Sequence, residues 1–285
     1  MVRENVRRMQ YRPRLLPVVL AVAVVPALVV LRRLLDRFAH LSGLGPGLLG
    51  RDLVAEFALL LATIAIVAWA GWWRPAGLVG AWKERWWTVL PAVWVAVMLL
   101  LGIPALLQQH GRLAPLPQVL ALAAMVGFCE ETLTRGVMLY GLSRYGPLIA
   151  GLVSAGIFGA LHSFNYLEGV PVSFLVDQVV TAALVGLMFA GLRLRMLTLW
   201  PLIVAHAVFD TPGLLGGYPL NVAPEDPIAI VVSIWLMMPF GMAGLGLLLW
   251  EQLNGRNPLV DRWLNGAGAE RSVRRRGSGN SLPAS

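Results

Sequence analysis

Three charged side chains, Glu130, Glu131 and Arg135, lie inside a hydrophobic stretch, 119–142, that is otherwise typical of a membrane-spanning helix. An ionisable side chain at the centre of a bilayer costs roughly 2.5–3.5 kcal/mol, so such groups must be buried against protein or a wet cavity. Glu131 and Arg135 are four residues apart and share a helix face, which predicts an ion pair. Glu130 lies about 100° further round the helix and is left free for proton chemistry.

Two further apolar segments carry histidines at helical spacing. His162 follows Phe158 by four residues, and Asp210 follows His206 by four, so each histidine has a companion on its own helix face. Counted along their helices, Glu130 and both histidines lie roughly 16–22 Å from the cytoplasmic ends. A glutamate shielded from water can act as a base and then as an acid near neutral pH. Neutral histidine can hydrogen-bond a developing oxyanion. These residues predict a hydrolytic site within a membrane.

The composition is typical of a membrane protein. Of the 285 residues, 58% are hydrophobic and 13% are charged, which is too apolar for a soluble domain. The long apolar runs predict an all-α, polytopic transmembrane helical bundle of about eight helices. The single cysteine, Cys129, excludes an internal disulfide framework.

The net charge of +8 is unevenly distributed. Most arginines lie in the terminal tails and short loops, where the positive-inside rule places them. No basic groove with interleaved aromatic residues indicates a nucleic-acid partner. The sequence therefore predicts an integral protein of the bacterial plasma membrane with both termini in the cytoplasm. Its expected partners are the lipid bilayer and a peptide or membrane-protein substrate.

Composition divides the chain into four parts. They are a basic cytoplasmic tail over 1–14, three transmembrane helices over 15–110, a core of five helices over 111–252 that contains the polar motifs, and a disordered basic cytoplasmic tail over 253–285.

Two details concern the N-terminal helices. The first apolar run, 15–31, is followed by arginines, and 36–52 is interpreted as a polar, glycine-rich connection, with the alternative that part of the loop after the first helix forms an interfacial helix. Glu56 then falls near the start of the second helix, where we expect an interfacial or snorkelling side chain.

Three motifs, each on its own hydrophobic segment, resemble in order and spacing those of the CPBP family (CAAX protease and bacteriocin-processing, also called Abi) of intramembrane endopeptidases. They are Glu130-Glu131-x-x-x-Arg135, Phe158-x-x-x-His162 and His206-x-x-x-Asp210. A single motif of this kind would be weak evidence, whereas all three in order in a polytopic chain form a specific pattern. The resemblance implies that the core over 111–252 is a glutamate-dependent protease core.

The resemblance also implies roles for the motif residues. Glu130 and His162 would activate the water that attacks the scissile carbonyl. Glu131 and Arg135 would shape the site in a supporting role, and Phe158 is expected to pack beside it.

His206 and Asp210 would hold the oxyanion or the water. The prenyl-protein endopeptidases of this family have Asn at the position of Asp210, although Asp also occurs in the wider family. An ionised Asp cannot donate a hydrogen bond to an oxyanion. Three alternatives remain open for Asp210: it orients His206, it is protonated, or it binds a metal.

Metal-free chemistry is favoured, and no cofactor is expected. Two histidines and a glutamate could nevertheless hold zinc, in which case the ligands would be Glu130, His162 and His206. The His-Glu-x-x-His pattern of the common zinc proteases is missing.

The predicted function is intramembrane endopeptidase activity on membrane-associated peptides or proteins. The alternative is a protein without enzymatic activity, either an immunity or chaperone-like factor or a transporter that uses the same buried polar residues. No internal repeat is visible in the sequence, which counts against a transporter.

Overall fold

The computed structural model describes residues 13–42, 48–79, 89–108, 116–196, 198–215 and 227–260. Throughout these residues every regular element is a helix, so the predicted all-α class is confirmed. Eight helices follow one another along these ranges: α1 Leu15–Ser42, α2 Leu48–Ala70, α3 Val89–Gln108, α4 Leu116–Glu131 with its continuation through Thr132–Met138 to Leu139–Leu142, α5 Pro147–Leu161, α6 Val172–Arg195, α7 Trp200–Leu214 and α8 Pro227–Leu253.

Six stretches of the described chain are long and apolar enough to cross a membrane. They are Leu15–Leu35, Asp52–Ala70, Leu116–Tyr145, Pro147–Leu167, Val172–Arg195 and Ile230–Leu253. Many large apolar side chains on them are exposed, for example Leu16, Val176 and Trp235. Such a surface suits lipid rather than water, while each helix satisfies its own backbone hydrogen bonds.

The first helix is longer than the sequence suggested. We expected it over 15–31 with a polar connection over 36–52, but α1 continues to Ser42 and α2 begins at Leu48. The arginines after the apolar run therefore belong to the helix. Arg32 of α1 forms an ion pair with Asp52 of α2, which compensates its charge. The predicted tails lie largely outside the described residues.

Helix α4 runs through the centre of the bundle, between α2 and α7, while α6 packs against α5 and α8. Two close approaches depend on glycine. A Cβ atom on Gly127 would lie 2.8 Å from the Ile203 carbonyl oxygen of α7, and one on Gly159 would lie 2.6 Å from the Val179 carbonyl oxygen of α6. Small residues let membrane helices approach in this way. They bring the motif helices within side-chain reach of one another.

A π-helical segment, Thr132–Met138, follows the paired glutamates and leads into the short α-helical turn Leu139–Leu142. The hydroxyl of Thr134 donates to the Glu130 carbonyl oxygen over 2.5 Å. The hydroxyl of Ser154 on α5 donates to the Thr134 carbonyl oxygen over 3.0 Å. Side chains thus supply hydrogen bonds where the helix is wound differently, and such segments are frequent at functional sites.

Candidate active site

The imidazole ring of His206 is held by a buried ion pair. Its Nδ1 donates to Oε1 of Glu131 over 2.7 Å, and NH1 of Arg135 donates to the same oxygen over 3.0 Å. The side chains of Glu131 and Arg135 are 0% and 1% exposed. The pair expected from the spacing of Glu131 and Arg135 is therefore present. It lies where water cannot compensate either charge.

The other ring nitrogen of His206 faces two accessible carboxyl groups. Its Nε2 lies 3.5 Å from Oε2 of Glu130 and 3.3 Å from Oδ2 of Asp210. The side chain of Glu130 is 30% exposed, and that of Asp210 is 24% exposed. Nδ1–H is already donated to Glu131. A hydrogen bond between Nε2 and either carboxyl group therefore requires one more proton, which is bound to Nε2 or to one of the two carboxyl groups. The arrangement is suited to holding and passing a proton.

His162 lies one aromatic ring away from this centre. Its Nδ1 hydrogen-bonds the Phe158 carbonyl oxygen over 2.8 Å, which leaves Nε2 as the free nitrogen of a neutral ring. Phe158 packs edge-on against both histidines, with ring centroids 4.8 Å from His162 and 6.2 Å from His206. The contacts between described residues therefore place His206, and not His162, directly beside Glu130.

Aromatic side chains close the buried side of the site. The guanidinium carbon of Arg135 lies 4.2 Å from the ring centroid of Phe158 and 5.5 Å from that of Phe189, within the range of cation–π attraction. Trp94 of α3 packs against Phe189 and against Phe209. The contact of Phe158 was expected from its spacing to His162. Phe189 and Trp94 were missed, because nothing in the sequence distinguishes them from other apolar core residues.

Glu56 lies closer to the site than the sequence predicted. We expected an interfacial side chain, but the carboxyl group of Glu56 lies close to the thiol of Cys129 and near the carboxyl groups of Glu130 and Asp210. Its Oε1 atom is buried without a hydrogen-bond partner in the described chain. Because α2 packs against α4, a residue two turns into α2 faces the site. In the sequence, the one indication that Glu56 belongs to the site was that its carboxyl group lies inside an apolar run.

Exchanging Glu56 for Gln should raise the free energy of unfolding by about 1 kcal/mol, because it removes one of three neighbouring negative charges and retains an acceptor for Cys129. Thermal unfolding in detergent measures this. Glu56→Leu is the matched control, since it also removes the charge but has no acceptor, and it should gain less. A lower melting temperature for Glu56→Gln would show that the charge of Glu56 is compensated, and the prediction would then be wrong.

A metal site receives no support from the geometry. Throughout the described residues, no group of three or more His, Cys, Asp or Glu side chains is arranged to hold a metal ion. The ligand set considered above, Glu130, His162 and His206, is not among such groups in the described residues. The reaction proposed below therefore contains no step through a metal.

A family model matches the part of the chain that contains the site. Residues 112–212 match the Rce1-like family, described as type II CAAX prenyl endopeptidase Rce1-like. The Rce1-like segment contains all three motifs and extends from the start of α4 into the last turn of α7. The resemblance inferred from the sequence is thereby confirmed. The helices α1–α3 and α8 lie outside it.

The match supports a coarse assignment. The Rce1-like family is a family of proteases, and together with the six apolar stretches it supports an integral membrane protein. No curated protein and no solved structure matches the chain.

Proposed function

We propose that the protein is an intramembrane endopeptidase that hydrolyses peptide bonds of membrane-associated peptides or proteins, with Glu130 as its general base. The observation that carries the proposal is the contrast between the two neighbouring glutamates. Glu131 is enclosed and bonded to Arg135 and His206, whereas Glu130 is accessible and lies beside the free side of the imidazole ring. One carboxylate supports the site and the other is available to substrate.

In the proposed reaction, Glu130 takes a proton from a water molecule, and the water oxygen forms a bond to the scissile carbonyl carbon. The carbonyl oxygen becomes an oxyanion. When the tetrahedral intermediate collapses, the carbon–nitrogen bond breaks, and Glu130 returns its proton to the leaving amine. The products are a new carboxyl terminus and a new amino terminus. Glu130 takes up one proton and returns one, so it ends the reaction in its starting state and water is the only other reactant.

His206 is proposed to stabilise the oxyanion from Nε2, because Glu131 fixes its ring through Nδ1. Asp210, 3.3 Å from Nε2, would orient the ring, which is one of the three alternatives left open by the sequence. His162 would share the water proton through its free Nε2. These roles rest on the resemblance together with the distances above.

Replacing His206 with Asn tests the role of Nε2 separately from that of Nδ1. The Asn amide can still donate to Glu131, but nothing replaces Nε2. We expect the cleavage rate to fall about 10²-fold, the size of effect seen when one oxyanion donor is removed, with little change in melting temperature. Single-turnover cleavage in liposomes measures the rate. A variant as active as the wild type would remove Nε2 from the mechanism.

We also propose that the protein lies in the bacterial plasma membrane with both termini in the cytoplasm. The arginines before α1 and at the ends of α4, α6 and α8 support this orientation through the positive-inside rule, whereas three arginines in the second half of α1, Arg32, Arg33 and Arg37, lie at the opposite end.

The proposal is tested by product chemistry. The purified protein, reconstituted in liposomes, is incubated with a library of membrane-embedded peptides in water enriched in ¹⁸O, and the products are identified by mass spectrometry. A protease yields paired fragments with the label in the new carboxyl terminus. Fragments without the label would contradict direct attack by water. An intact library, compared with one cut by a known intramembrane protease as a control, would favour the alternative without enzymatic activity.

A further inference from the structure

A cavity lies at the end of the bundle where α4 and α8 end and α5 begins, away from the active site. Its volume is about 470 Å³, and it is lined by Pro13 before α1, by residues of the α4–α5 turn, and by the end of α8 and the chain that follows it, with Arg144 and Arg256 among them. Both arginines are exposed. The cavity therefore opens outward with two cations on its wall.

Two side chains from α8 and its continuation hold this cavity in shape. Oε1 of Gln252 accepts a hydrogen bond from the backbone amide of Leu148, at the start of α5, over 3.5 Å. Nδ2 of Asn257 donates to the Ser143 carbonyl oxygen over 2.6 Å. Gly146 has φ +92°, and a Cβ atom there would lie 2.6 Å from Oε1 of Gln252. These contacts link the end of α8 and the chain that follows it to the α4–α5 turn, which brings Arg144 and Arg256 to the same cavity.

This end of the bundle is strongly basic. At or just beyond it lie six arginines of the described chain: Arg14, Arg74, Arg144, Arg193, Arg195 and Arg256. Within the described chain one acidic residue, Glu251, lies there, and it forms an ion pair with Arg195 over 2.7 Å. No described acidic side chain pairs with Arg144 or Arg256. The charge at the cavity is thus available to an anion.

The adjoining chain does not supply that anion by its composition. Residues 1–12 contain four arginines and one glutamate, and residues 261–285 contain five arginines and two acids. Both segments repel a basic cavity more than they attract it. An anion from outside the chain is the better complement.

We propose that this cavity binds the phosphate headgroup of an anionic phospholipid. The helices that meet at the cavity, α4, α5 and α8, all contain apolar stretches long enough to span the bilayer, which places their ends at headgroup level. Arginine binds phosphate through paired N–H donors, and basic pockets at this depth suit anionic headgroups. The lipid would bridge the α4–α5 turn and the end of α8. The inference does not depend on proteolysis.

Native mass spectrometry of the full-length protein tests the site. The protein is titrated with phosphatidylglycerol or phosphatidylcholine of the same acyl chains. The wild type should retain phosphatidylglycerol preferentially. In Arg144→Gln/Arg256→Gln we expect its affinity to be about 10- to 30-fold weaker, as two lost phosphate contacts imply. The double variant Arg144→Lys/Arg256→Lys keeps both charges and should retain part of the affinity, so it guards against a folding defect.

The matched control is Arg33→Gln/Arg37→Gln. It also removes two positive charges, but from the C-terminal half of α1, away from the cavity, and it should bind phosphatidylglycerol as the wild type does. Equal weakening in the control would show general charge attraction and overturn the site. Unchanged binding in Arg144→Gln/Arg256→Gln would overturn it as well. A third arm adds inorganic phosphate as competitor. Displacement of the lipid by low millimolar phosphate would show that the cavity takes a soluble anion, which contradicts a lipid site.

Discussion

Replacing Arg135 with Met is expected to lower the free energy of unfolding by about 3–5 kcal/mol, the cost of leaving a buried charge without its partner. Arg135 is 1% exposed and its NH1 donates to Oε1 of Glu131, which is 0% exposed. Methionine fills a similar volume and retains contact with the ring of Phe158. The decrease in the free energy of unfolding therefore reflects the lost charge more than lost packing. Denaturant unfolding in mixed micelles, followed by circular dichroism, measures the change.

The double variant Arg135→Met/Glu131→Gln is the control for this prediction. The second substitution removes the negative charge, but the new amide oxygen could still accept the hydrogen bond from Nδ1 of His206. We expect the double variant to recover more than half of the lost stability, which would show that the uncompensated carboxylate is the cause. A loss below about 1 kcal/mol for Arg135→Met would contradict the account, since surface ion pairs contribute that little.

The polar pairs of the site could be predicted from spacing alone, because a helix fixes which neighbours share a face. Glu131 pairs with Arg135 across four residues, and His206 lies 3.3 Å from Asp210 across the same interval. The same argument assigned different roles to Glu130 and Glu131. In the structure Glu130 is accessible and Glu131 is enclosed.

Contacts between helices could not be predicted in this way. Which histidine lies beside Glu130 depends on the rotation of each helix about its own axis. That rotation is set by packing, including the close approach of Gly127 to α7. For the same reason Glu56 was assigned to the interface, although α2 turns it towards Cys129. Sequence spacing carries no information about this rotation.

Two errors of local structure have different causes. The π-helical segment Thr132–Met138 was missed because its stabilising bond comes from Ser154 on another helix. The first helix was ended too early because arginines were interpreted as the edge of the membrane. Arg32 instead continues α1 and is compensated by Asp52, a partner 20 residues further along the chain.

Replacing Glu130 with Gln should lower the rate of peptide cleavage by about 10²–10⁴-fold, the usual contribution of a general base. The amide cannot take a proton from water, yet it has nearly the shape of the carboxyl group and can still contact Nε2 of His206. The fold should therefore be retained, with a melting temperature close to that of the wild type. Cleavage of a membrane peptide in liposomes, measured under single-turnover conditions, gives the rate.

That experiment, run with Asp177→Asn as control and with and without a metal chelator, tests the central claim most directly. Asp177 lies near the start of α6, on a stretch long enough to span the membrane, and no described ion pair joins it to Glu130, His206 or Asp210. Our account predicts that the wild type and Asp177→Asn cleave at similar rates in both conditions, while Glu130→Gln cleaves about 10²–10⁴-fold more slowly. Equal cleavage by Glu130→Gln would contradict its role as the base, and loss of wild-type activity in chelator would contradict a metal-free reaction.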